Sequence, residues 1–175
     1  YQAKYGIRDH RGGGRASARE TAARVAAGAV AAQVLAQHGI EVVAYTVALG
    51  GIRIACRDMA TIHANPYCCP DPEAAERMEQ RVREVRDRGD TVGDIVEIRA
   101  SCPPGLGEPV FDKLEADLAH GLMSIGAVKG VEFGAGFAAA DLLGSENNDS
   151  ICTTGFASNN AGGVLAGISS GQELV

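Results

Sequence analysis

The sequence predicts an α+β domain, and three observations carry that prediction. Helical and β-rich stretches are mixed without the strict strand–helix–strand alternation of a doubly wound sheet. The strand-length runs, at 40–49, 52–56, 91–100 and 128–133, are short, with glycines ending the first and bounding the last. The last quarter of the chain turns to glycine- and asparagine-rich loop chemistry, GSENNDS and then SNNAGGVLAGISSGQ. No internal repeat or linker divides the 175 residues, so residues 1–175 form one domain.

In chain order, Ser17-Ala18-Arg19-Glu20 fits a capping box, in which the serine accepts an orphan N–H and the glutamate reaches back. An alanine- and valine-rich helix follows from Thr21 to about Gln37 and is stopped at Gly39. Its apolar residues nearly encircle it, which predicts burial between layers. Residues 40–49 read as a strand ended by Gly50-Gly51, and residues 52–56 as a short second one. The prolines of NPYCCPDP stiffen a loop, after which Asp71 or Pro72 opens a charged helix through about Arg88. That helix has one apolar stripe, Met78, Val82 and Val85, and reads as a surface helix laced with ion pairs. Residues 91–100 alternate as a strand, 111–124 are an amphipathic helix, and 128–133 a short strand between glycines.

Hydrophobic residues make up 46% and charged residues 22%, a balance that fits a packed globular domain rather than a disordered chain. No apolar run is long enough to cross a bilayer, and YQAKYGIRDHRGGGR lacks the apolar core of a secretory signal. The five cysteines show no framework or zinc spacing, which suits reduced thiols in a cytoplasmic protein without a metal site. The net charge of −6 argues against general nucleic-acid binding, but it hides an asymmetry. Residues 1–24 carry six Lys or Arg against Asp9 and Glu20, a local +4 on a remainder of −10. A basic patch on an acidic protein suggests a specific small anion, with a solvated loop or a subunit contact as the alternatives.

The strongest constellation lies inside that patch. Gly12-Gly13-Gly14 lets backbone approach a ligand and leads to a helix N-terminus, where free N–H groups and the helix dipole favour an anion. Arg15 and Arg19 add planar, charged forks suited to phosphate or carboxylate. A flexible turn before a capped helix explains the same residues without a ligand. A P-loop is absent because no glycine precedes a lysine. Gly134-Ala135-Gly136 imitates a dinucleotide fingerprint but lacks the later acidic residue, so a close-packed glycine turn is the better reading. Among the histidines, His38 suits a helix end, His63 a loop and His120 a packed helix. Only His10, in the basic segment, is a weak candidate for proton transfer.

Several long segments together resemble the chorismate synthase family: KYGIRDHRGGGRASARETAARVAAGAVA, NPYCCPD, PPGLGEPVFDKLEADLAHGLMSIGAVKGVEFGAGF, GSENND and SNNAGGVLAGISSG. They follow the family's order and cover essentially the whole chain. The resemblance implies a β-α-β sandwich with helices packed between antiparallel sheets, and a cytoplasmic homotetramer at full length. It implies a lyase of aromatic amino-acid biosynthesis that eliminates phosphate, anti and 1,4, from 5-enolpyruvylshikimate 3-phosphate to give chorismate. Reduced FMN is the implied cofactor, with the source of reduced flavin, a separate reductase or the enzyme's own NADPH-dependent activity, left open. The family's flavin-binding positions fall on Arg15, Ala16, Ser17, Gly126, Ala127 and Ala166. Ala16, Gly126 and Ala166 depart from the family's Ser, Asn and Gly. Arg15 and Arg19 are the implied anion contacts. The family's two catalytic-histidine motifs are expected before Tyr1, and its Lys-Pro flavin loop and catalytic aspartate after Val175. The alternative expectation is therefore a flavin- or anion-binding or oligomerisation module without turnover.

Overall fold

A computed structural model describes all 175 residues. Its centre is a three-stranded antiparallel sheet of β1 (Val42–Leu49), β2 (Ile52–Arg53) and β3 (Asp94–Ala100), in the order β2-β1-β3. β1 and β2 pair Leu49 with Ile52, leaving a two-residue turn of Gly50 and Gly51. Both have positive φ, 58° and 87°, the geometry whose twist matches a hairpin and which glycine adopts without cost. β1 pairs along its length with β3, from Val42 opposite Ala100 to Leu49 opposite Asp94, with a bulge between Thr46 and Ala48. At the far end, Leu174 exchanges both backbone hydrogen bonds with Ala100 on the open edge of β3.

Five α-helices accompany the sheet: α1 (Gln2–Tyr5), α2 (Thr21–Gln37), α3 (Pro72–Asp87), α4 (Leu114–Met123) and α5 (Gly144–Asn147). α3 begins as its sequence predicts. Asp71 caps it through Ala74 N–H at 3.0 Å, and Pro72 occupies the first turn, where its missing N–H is harmless. Its apolar face meets β2 and the loop before it, so Cys69, Ala74, Ala75 and Met78 form the core with Leu49, Ile52, Ile54 and Tyr67 around them. The charged faces carry the expected intrahelical pairs, Arg83 with Glu79 and Arg81 with Glu84. Two small hairpins complete the chain, β4 (Ile151–Cys152) with β5 (Gly155–Phe156) and β6 (Val164–Leu165) with β7 (Ile168–Ser169).

Three expectations need correction. The capping box at Ser17 forms only in part. Ser17 Oγ accepts Arg19 N–H, but Glu20 turns its carboxylate to Arg24 at 2.8 Å, and a 3-10 turn over Ala18–Glu20 precedes α2. Residues 128–133 form no strand, because no other segment of the chain offers them a ladder. Finally, α2 is not buried: Val25, Val30 and Val34 remain 72%, 64% and 52% exposed. Its all-round apolarity suits it to be covered on both sides, yet within this chain it packs closely only on the turn before it. The consequence shows in the total surface, 12445 Å². A compact monomer of 18.1 kDa exposes about 8,100 Å².

Candidate functional site

The basic segment begins as an open loop. Arg11 turns back on Asp9, with Nε 2.9 Å from Oδ1, and Arg24 is held by Glu20. Arg8, Arg15 and Arg19 have no carboxylate partner, and Arg15 and Arg19 are exposed. Gly14, at φ 54°, starts a 3-10 turn over Gly14–Ala16, and Ser17 then runs extended into the next turn. The N–H groups of Gly12 to Arg15 find no acceptor within the chain. Free guanidinia and free N–H groups of one short loop are the donor set an oxyanion accepts. His10 sits in this loop as an exposed turn residue with no hydrogen-bonded partner, so nothing orients its imidazole.

The second predicted segment, Gly126-Ala127, is the turn that follows α4. Ala127 has φ 71°, a conformation that crowds its Cβ against its own backbone. Arg24 brings this turn to the basic segment. Its Nη1 donates to Ser124 Oγ at 2.8 Å and its Nη2 to the Ser124 carbonyl at 3.0 Å, while Glu20 holds its Nε. Ser124 is the C-cap of α4, two residues before Gly126. One arginine thus ties the first turn of α2, five residues past Arg19, to the end of α4.

The third segment, Ala166, occupies the tip of the β6–β7 hairpin at φ 52°, followed by Gly167 at φ 87°. This hairpin is clamped at its base. Ser169, 3% exposed, donates its hydroxyl to the Pro103 carbonyl at 2.7 Å and accepts Leu106 N–H at 2.8 Å. The Gly167 carbonyl accepts Leu114 N–H at 2.9 Å, so the tip rests on the first turn of α4. α4 has ten residues, a rise of about 15 Å, and it separates the Ala166 tip from the Gly126-Ala127 turn at its other end. The chain therefore ties the helix that follows Arg15, Ala16 and Ser17 to the residue two before Gly126, and holds Ala166 at the opposite end of α4.

The glycine turn at Gly134 is close-packed, as its sequence suggests. A side chain there would strike the backbone of Asn160 and Gly162. Sequence reasoning missed the polar group that holds the neighbouring loop. Asp149 accepts Ser158 Oγ at 2.6 Å and the N–H groups of Asn160 and Ala161 at 2.7 and 2.8 Å. Burial raises the cost of its charge, but these donors prevail and hold its carboxyl below the usual range. The only sign of it in sequence is an acidic residue inside an Asn-rich loop. Arg24 was equally visible as a cation, but only the fold shows that it bridges two segments.

A profile of the chorismate synthase family matches residues 1–175. The chain is 64% identical over 176 aligned positions to the chorismate synthase of Syntrophobacter fumaroxidans, covering 100% of this chain and 50% of that protein. It is 62% identical to that of Desulfatibacillum aliphaticivorans, again over 100% of this chain and 49% of the relative. A crystal structure of a chorismate synthase superposes with a TM-score of 0.90 at 34% identity, over 99% of this chain and 58% of that one. The chain thus spans about half the length of the curated relatives it matches, and its mixed helices and antiparallel sheets follow the solved member throughout. It belongs to the chorismate synthase family.

Proposed function

We propose that this chain carries the flavin- and substrate-anion-binding part of a chorismate synthase, a carbon–oxygen lyase that eliminates phosphate from 5-enolpyruvylshikimate 3-phosphate to give chorismate. The observation that supports this most directly is the loop of Gly12 to Arg19, where exposed Arg15 and Arg19 have no carboxylate partner and four N–H groups are free. The substrate carries a phosphate and two carboxylates, and a flavin mononucleotide carries another phosphate. The donors of this loop are of the kind such groups accept. Reduced FMN, when bound, supplies electron density to the breaking C–O bond. Arg15, Ser17, Gly126 and Ala127 would hold the flavin at one end of α4, and Ala166 would approach it from the other. Where Ala16 and Gly126 replace Ser and Asn, contact rests on backbone. The protein works in the cytoplasm as a homotetramer at full length, with neither membrane nor nucleic acid as a partner.

The test is anaerobic titration with chemically reduced FMN, followed by addition of 5-enolpyruvylshikimate 3-phosphate with chorismate absorbance as the readout. Arg15→Met and Arg19→Met are each expected to weaken anion-dependent binding about tenfold or more, the scale of one charge-assisted hydrogen bond. Unchanged binding, or binding indifferent to salt, refutes the assignment of these two arginines.

A further inference from the structure

We propose that Arg99 is a positioning residue for the hairpin that carries Ala166, acting through Glu173; its consequence for flavin rests on the function proposed above.

Arg99 lies on β3, two residues from Glu97 and on the same face of the sheet. Glu97 stands directly opposite Tyr45 of β1, which is 1% exposed and donates its hydroxyl to Glu97 Oε1. Arg57 holds Oε2 at 2.9 Å, and Arg99 Nε holds Oε1 at 3.0 Å. All the oxygens of Glu97 are therefore committed, and Arg99 is fixed along one edge of its guanidinium. Its Nη1 is left to reach outward, and it meets Glu173 Oε2 at 2.9 Å. Burial and the adjacent Glu97 push the Tyr45 hydroxyl up. Burial opposes the charge of Glu97, but Tyr45, Arg57 and Arg99 outweigh it and hold its carboxyl down. The proton stays on the tyrosine, and the carboxylate stays charged for its two arginines.

From Glu173 the connection runs on through the loop. Its carbonyl accepts Asn159 Nδ2 at 2.8 Å, and Asn159 Oδ1 accepts Gly163 N–H at 2.8 Å. The Gly163 carbonyl then accepts Ser170 N–H at 2.9 Å, closing the base of the β6–β7 hairpin. Gly163 has φ 79°, and a side chain on it would strike the Glu173 backbone, so this contact has no slack. The paired Tyr45 and Glu97 are thereby joined to the hairpin base by an unbroken series of hydrogen bonds, in which Arg99–Glu173 is the one ion pair between strand and loop. Backbone pairing of Ala100 with Leu174 holds the same segment, so the ion pair refines a position the backbone already approximates.

The experiment is amide hydrogen exchange on the protein and on Arg99→Met, Glu173→Gln and the double variant, with bound FMN followed by its visible circular dichroism. Each single variant should speed exchange at Gly163, Ser169 and Ser170 about three- to tenfold, with α3 amides unmoved. The double variant should be no worse than Arg99→Met alone, because loss of the arginine already removes the link to Glu173. Arg99→Lys, which keeps the cation, should recover most of the protection, and the flavin band should shift in Arg99→Met and return with lysine. Unchanged hairpin exchange, multiplying effects in the double variant, or equal acceleration in α3 would overturn the proposal. If no variant and not the parent protein binds FMN, the flavin assignment fails, while the exchange data still decide the role of Arg99.

Discussion

Replacing Asp71 should cost more than any other single polar substitution near the core. The residue is 3% exposed and its carboxylate serves three donors: Ala74 N–H at 3.0 Å, Ala55 N–H at 2.8 Å and Cys56 N–H at 3.3 Å. The first is the N-cap of α3 and a buried N–H, whose loss costs about 1–3 kcal/mol. The second is a short bond from Ala55, an exposed residue to which water has access, so its net loss is about 1 kcal/mol. The third is long and its residue exposed, so water replaces it at little cost. Asp71→Ala should therefore destabilise by about 2–4 kcal/mol. Asp71→Asn retains an oxygen for the cap but turns an NH2 towards Ala55 N–H, so it should lose about half as much. Hydrogen bonds from Ala55 first and Ala74 next hold the Asp71 carboxyl below its usual range, with burial opposing them. A depressed folded-state pKa gives stability that is present above the unfolded value, about 3.9, and is lost as pH falls through the folded one. Urea unfolding followed by far-UV circular dichroism at pH 7 and pH 3 measures both effects. The asparagine variant should lose less between the two pH values than the parent protein. Asp71→Asn within 0.5 kcal/mol of the parent at pH 7 would refute the accounting, and so would an unchanged pH response.

Ala127→Gly and Ala166→Gly each relieve a left-handed residue at φ 71° and 52°, worth about 1 kcal/mol, against a similar gain in unfolded-chain entropy. Their urea midpoints should thus match or exceed the parent's, and Ala166→Gly should bind FMN at least as tightly. Asp149→Ala, which strips acceptors from Ser158, Asn160 and Ala161, should cost about 2–3 kcal/mol by the same assay and free the 158–161 loop to proteolysis. Sedimentation velocity at rising concentration should show this chain self-associating, and charging α2 by Val30→Glu should reverse that without unfolding α3. A monodisperse monomer with a cooperative, high melting transition would count against it.

What was legible in the sequence followed from local rules. The start of α3 was readable because Asp71 and Pro72 act within one turn, and Gly50-Gly51 marked the end of β1, while the hairpin they form is visible only in the fold. The run at 128–133 looked like a strand by composition, but a strand is a pairing, and its partner cannot be seen in the run itself. The flavin positions were carried by family resemblance, while Arg24, which ties α2 to the end of α4, and Arg99, which ties β3 to the loop at Glu173, left no pattern to read. Each acts across a distance of 74 to 100 residues, through bonds to Glu173 and to Ser124.

The exposure of α2 has a physical reason. An apolar stripe tells which face is covered and by implication where the cover lies, as it did for Met78 and Val85 in α3. An all-round apolar helix tells only that cover exists on every side, and says nothing about whether the same stretch of chain provides it. Here it does not: α2 contributes no buried residue, and the chain exposes about 4,300 Å² more than a compact protein of its mass. Counted on one chain, that excess exceeds the roughly 1,000–2,500 Å² that each partner buries in an obligate interface. At about 25 cal/mol per Å² of apolar area, covering even the α2 face outweighs any single polar contact described above. The loop of Arg15 and Arg19 leads directly into that helix. In the anion site proposed above, a cover on α2 would steady the approach of those guanidinia, and binding at the loop should tighten as the helix is covered.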